Sequence, residues 1–277
     1  ALFVTDFKKS RWGILLSCLL GAVSVVIFAV AGRINWEGIA IITLTLSSSI
    51  VGVSLHLKRH WVSNVFFTLA VILAVVASIH QIPGVQNVML YPSLQVSMGG
   101  IPVNIMANFD KPLAAIAIFV IVYYVTEKKQ KTHDGKELTL HWLLLPLYVM
   151  ATLLTGWLLG LGYEFKLPEA TLAFMVTNLL FSTITEEVFF RGLIQEQCYR
   201  YLSTKTPYAT PIALLIASTI FGLAHSPGGM YFVFLATVSG VYYGLAYHTT
   251  GKLSAAILAH SGVNVGHFIF LEYPVPV

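Results

Sequence analysis

The sequence predicts an all-α polytopic membrane protein with about eight or nine transmembrane helices and a small extramembrane β-hairpin near residues 94–105. Three observations predict it. Of the 277 residues, 57% are hydrophobic and only 10% charged, far from a soluble globular composition. Apolar runs long enough to cross a bilayer recur along the whole chain. Between them, basic residues fall mostly on alternate connections, as topology requires.

Reading apolar runs against charged or Pro/Gly breaks gives nine candidate spans: 11–32, 36–57, 61–80, 112–126, 140–162, 170–199, 208–225, 230–248 and 252–271. A large soluble domain would need long polar helix faces, which these runs lack. The first run is long enough to span and lacks a small-residue cleavage pattern, so it is expected to stay as a helix. With the N-terminus cytoplasmic, the inner connections hold Lys8, Lys9, Arg11, Lys58, Arg59, Lys128, Lys129, Lys131, Lys136, Arg200, Lys205 and Lys252. The outer ones hold only Arg33, Lys111 and Lys166. The expected location is a bacterial cytoplasmic membrane. This asymmetry also accounts for the net charge of +4 without nucleic acid as a partner. Cys18 and Cys198 are far apart in apolar surroundings and suggest neither a disulfide framework nor a cysteine metal site.

Residues 81–110 are the long polar connection, with Pro83, Pro92, Pro102 and the Gly99-Gly100 pair. A two-residue Gly-Gly turn would pair Met98 with Ile101, Val96 with Val103 and Leu94 with Ile105, all on one face. That face is expected on the helix ends or at the lipid interface. The charged stretch Lys128 to Glu137 reads as a solvated loop, dividing an N-terminal group of helices (1–126) from a C-terminal one (140–277). Gly156 with Gly160, Gly240 with Gly244 and Gly262 with Gly266 have the spacing that permits close helix approach.

Inside the sixth span stand Glu186, Glu187 and Arg191. Each charge near the centre of a membrane helix costs roughly 2.5–3.5 kcal/mol on insertion scales, so three within one short stretch need compensation inside the protein. Glu187 and Arg191, at i and i+4, can neutralise each other. Glu186 points roughly 100° away and has no helical partner. It is the first candidate for chemistry. Two further polar groups interrupt apolar runs: His225, ending the seventh span before Ser226-Pro227-Gly228-Gly229, and His260 with Asn264, on one face of the last.

Each has a bland reading: a capping histidine at 225, an interhelical hydrogen bond at 260 and 264, a structural ion pair at 187 and 191. Together they suit hydrolysis. A buried carboxylate can take a proton from water, and a histidine and an amide can donate to the oxyanion of a tetrahedral intermediate. No His-Glu-x-x-His or Gly-x-Ser-x-Gly pattern is present, and no intramembrane Asp offers an aspartyl dyad.

Glu186-Glu187-x-x-x-Arg191, then Phe221-x-x-x-His225, then His260-x-x-x-Asn264, in that order on successive helices, resembles the CPBP family, the CAAX-protease and bacteriocin-processing group that includes Rce1-type prenyl-protein endopeptidases. The likeness covers about residues 140–271. It implies an intramembrane endopeptidase acting on a peptide or membrane protein in the lipid bilayer. Glu186 and His225 would activate water, His260 and Asn264 stabilise the oxyanion, and Glu187 and Arg191 support the site. The family has been described both as metalloproteases and as glutamate-dependent proteases. No cofactor is certain, and a zinc ion, if bound, would be held by Glu186, His225 and His260. Two alternatives belong to other classes. One is a non-catalytic bacteriocin-immunity or scaffold protein using the same cavity; the other is a proton-coupled transporter, for which inverted repeats and helices broken at midplane are not evident.

Overall fold

The computed structural model describes residues 11–56, 60–126 and 142–274. The expected charged loop from Lys128 to Glu137 lies outside them. Among the described residues the chain forms nine helices and one hairpin: α1 (Arg11–Val30), α2 (Trp36–Leu55), α3 (His60–Ser78), β1 (Val88–Leu94), β2 (Val103–Ala107), α4 (Asp110–Thr126) and α5 (Leu145–Leu158). Then follow α6 (Thr171–Leu202), α7 (Ala209–Leu223), α8 (Gly229–Thr250) and α9 (Leu253–Phe270). Each expected span has its helix. Five regions, including α2, α3, α6 and α9, are long and apolar enough to cross a bilayer, and α5 and α7 are shorter apolar helices.

Alternate helix ends are tied on one face. Asn35, which caps α2 by accepting from the Gly38 N–H at 3.1 Å, donates its own N–H to the Gly84 carbonyl. Gly84 has φ +74°, and a Cβ there would land on the Asn35 amide. The hairpin loop meets the α5–α6 connection through Glu164 and the C-terminal segment through Tyr273, while the Tyr231 hydroxyl near the start of α8 donates to the Leu159 carbonyl after α5. The chain therefore reaches this face after every odd-numbered helix, which nine successive traverses require.

α4 is the hub. Hydrophobic all round, it buries Leu113, Ala114, Ala117, Ile118, Phe119 and Val122, as a helix enclosed by others must. One cluster joins Ile42, Ala74, Leu113 and Ile118 to Val188 and Ile257 from the C-terminal helices. By contrast α1 and α3 expose Val26, Ile27, Val65 and Ile72, as surfaces facing lipid do.

The hairpin forms, but in a different register from the expected one. Leu94 stands opposite Val103, Tyr91 opposite Ile105 and Val88 opposite Ala107, so the pairs Leu94–Ile105, Val96–Val103 and Met98–Ile101 do not occur. Residues 95–102 make a looped connection because other segments claim their polar groups. The Met98 N–H donates to Glu164 at 3.1 Å, and the Ser97 hydroxyl accepts from the Tyr273 N–H at 2.8 Å. Val96 and Ile105 are buried against Ala170, Phe174 and Phe268, so the apolar face does pack on helix ends. Met98 and Ile101 are exposed.

Two of the three glycine pairs act as expected. Gly240 and Gly244 bring α8 against Ser218 and Leu214 of α7, and Gly262 and Gly266 bring α9 against Val149 and Leu153 of α5. The pair Gly156 and Gly160 does not join helices: Gly160 lies past the end of α5 with φ +113°, and Gly156 faces Leu161 of the turn that follows.

The tightest approach is at Gly222 of α7, where a Cβ would lie 1.9 Å from the Thr237 hydroxyl and 2.7 Å from the Val233 carbonyl of α8. The carbonyl belongs to a helix backbone and cannot move aside. Gly222→Ala is expected to destabilise the protein by about 1–3 kcal/mol, read as a lower thermal midpoint of the detergent-solubilised chain.

Candidate active site

The site forms where the winding of α6 is irregular. Asn178–Thr183 and Val188–Gln195 are π-helical, and between them Ile184–Glu187 is a single α-helical turn carrying both glutamates. Such wide turns interrupt α-helices mostly at functional sites. One consequence is direct: the Thr183 hydroxyl donates to the Asn178 side-chain oxygen at 3.0 Å across a spacing of five residues, which the π winding brings onto one face.

Glu187 and Arg191 are both fully buried, with Arg191 Nε 3.1 Å from Glu187 Oε2. The guanidinium also donates from Nη2 to the Gly240 carbonyl at 3.0 Å and lies 5.0 Å from the Phe221 ring centroid and 5.8 Å from that of Tyr243. Aromatic faces and a carbonyl thus share the charge that water would otherwise solvate. The other Glu187 oxygen meets His260: Nδ1 is 2.7 Å from Oε1, and Tyr243 stacks on the imidazole with centroids 4.4 Å apart. With Nδ1 donating to Glu187 Oε1 the ring is fixed, and Nε2 turns to the other carboxylate.

That carboxylate is Glu186. Its Oε2 lies 3.9 Å from His260 Nε2 and its Oε1 3.7 Å from the ammonium of Lys111, in the first turn of α4. A 3.9 Å gap is too long for a hydrogen bond, and one water beside it can touch both groups. The Glu186 side chain is 22% exposed where Glu187 is 0%. The two neighbouring acids are therefore divided: one sealed in ion pairs, one open to a reactant. Glu186 has no partner on its own helix, as expected, but it does have one on another.

His225, just past α7, packs on the Phe221 ring with centroids 4.6 Å apart, and Phe221 meets the His260 ring at 5.4 Å. His225 Nδ1 is 2.8 Å from the Phe221 carbonyl, so Nδ1 carries the hydrogen and Nε2 is an acceptor. Asn264 donates from Nδ2 to Asn178 Oδ1 at 3.3 Å, so both polar residues of α9 face α6. The Asn264 amide keeps a second hydrogen for another acceptor.

The structure thus brings Glu186, Glu187, Arg191 and His260 into contact, with His225 and Asn264 flanking them from α7 and α9. The three residues named for a zinc ion do not meet as a donor set. The Glu187 contact leaves His260 Nε2 free, but among the described residues no three His, Cys, Asp or Glu side chains come together in a way that could hold a metal ion. Lys111, Asn178 and Tyr243 are additions to the expected set. Lys111, expected on the outer side just before the fourth span, stands in the first turn of α4 and turns inward to Glu186. Asn178 carries the one available signal, a lone amide in an apolar run, and Tyr243 carries none.

Because Glu187 is sealed from water, removing its cation leaves an uncompensated charge. Arg191→Met is expected to destabilise the chain by about 3–5 kcal/mol, seen as loss of monodisperse protein on extraction, while Glu186→Gln extracts normally.

Residues 168–266 match the family described as type II CAAX prenyl endopeptidase Rce1-like. No curated protein and no solved structure matches the chain. The matched segment contains Glu186, Glu187, Arg191, His225, His260 and Asn264, and leaves out Lys111 and the hairpin. The chain is thus a polytopic membrane protein in which the segment 168–266, holding this cluster, is similar to the Rce1-like CAAX endopeptidase family.

Proposed function

We propose that the chain is an intramembrane endopeptidase that hydrolyses a peptide bond of a membrane-associated protein or peptide with water activated by Glu186. The observation that supports this most is the asymmetry of the two glutamates: Glu187 closed in by Arg191 and His260, Glu186 partly exposed and facing His260 Nε2 across a gap suited to one water. Glu186 takes a proton from that water while His225 Nε2 accepts its other hydrogen, and the oxygen attacks the scissile carbonyl carbon. His260, its ring held by Glu187, and the second Asn264 hydrogen stabilise the oxyanion. Glu186 then passes its proton to the leaving amine as the C–N bond breaks. The chain lies in a bacterial cytoplasmic membrane with its N-terminus cytoplasmic, so the hairpin face is the outer one and the substrate's cleavage site is presented from that side.

The test uses purified protein in detergent and two internally quenched peptides ending in a CAAX sequence, one farnesylated and one not. Glu186→Gln and His225→Ala are expected to lower kcat by about 10²–10⁴-fold, and Asn264→Ala by about 10²–10³-fold, all with wild-type yield. Cleavage retained by Glu186→Gln would overturn water activation by this residue.

A further inference from the structure

Lys111 belongs to the N-terminal helices, outside the matched segment, yet its ammonium stands 3.7 Å from Glu186 Oε1 with its side chain 16% exposed. A lysine placed to reach lipid headgroups would extend outward; this one turns into the helix bundle. Nor does it serve its own helix, since a cation in the first turn opposes the helix dipole. Its place is built in advance. Asp110, 1% exposed, accepts from His80 Nδ1 at 2.9 and 3.0 Å, from Asn87 Nδ2 at 3.1 Å and from the Lys111 N–H at 3.0 Å. Asn87 in turn accepts from the Phe109 N–H at 2.8 Å. Residues from the end of α3 and from the connection before β1 thus lock the backbone that launches Lys111.

Charge balance points the same way. Glu186 and Glu187 carry two negative charges, and Arg191 faces the sealed one. Lys111 supplies the second cation, and with His260 it holds the Glu186 carboxylate from both sides. We propose that Lys111 is a positioning residue for Glu186, orienting its carboxylate for water activation, and that the N-terminal helices are thereby part of the catalytic unit. This rests on the hydrolase reading above.

Two measurements separate the ideas. On the farnesylated CAAX peptide, Lys111→Met is expected to lower kcat by about 10²-fold, the scale of a misplaced reacting group, with KM unchanged. Lys111→Arg keeps the charge and recovers activity to within about tenfold of wild type. Wild-type kcat in Lys111→Met, or a loss confined to KM, overturns the proposal. The second measurement needs no activity: thermal midpoints of Lys111→Met, Glu186→Gln and the double variant. If the pair is real, the double variant falls no further than the worse single one, because removing both charges leaves neither unpaired. Additive losses overturn the pairing itself. A wild-type chain that cleaves neither peptide overturns the hydrolase reading and the positioning role together, and a surviving coupling then marks the pair as structural.

Discussion

A carboxylate cannot remain ionised in an apolar interior without a partner, and Glu187 governs how this chain meets that constraint. Its two oxygens engage Arg191 and His260, from its own helix and from α9. Everything nearby follows from keeping that group charged. Arg191 is buried because Glu187 is, and the carbonyl of Gly240 and the faces of Phe221 and Tyr243 replace its water. Gly240, lacking a side chain, lets α8 lie directly against Ser218 and Phe221 of α7. The ion pair and the packing of three helices are one arrangement.

The same constraint separates two adjacent residues of one type. Consecutive positions on a helix turn in different directions, and only one of them can face the sealed interior. Glu186 faces the junction of α4 and α9, where a cation and an imidazole stand at distances that permit a water and not a tight salt bridge. One acid is closed into the helix packing, and its neighbour is left partly exposed.

The matched Rce1-like segment leaves out α4, yet α4 buries its whole circumference and shares a hydrophobic cluster with Val188 and Ile257 on either side of the site. The polar knot at Asp110 sets where this helix begins. A helix that is central to the core and carries the Lys111 ammonium to Glu186 links the two halves both mechanically and electrostatically.

Much of this was legible in the sequence because it rests on local rules. Apolar runs announce helices where the backbone must satisfy itself in lipid, and charges inside such runs announce a site because their cost demands a reason. Hence the nine helices, the pairing of Glu187 with Arg191 and the candidacy of Glu186, His225, His260 and Asn264 followed from residue order alone. What tertiary structure alone decided depends on groups distant in the chain. The hairpin register shifted because Glu164 and Tyr273 claim the loop that a Gly-Gly turn would have closed. Asn178 reaches the site through π winding that a 3.6-residue period does not anticipate. Lys111 reads as one more basic residue beside a membrane span until α4 is laid against α6. Periodicity places a side chain on its own helix, and only packing determines which charge from another helix it will meet.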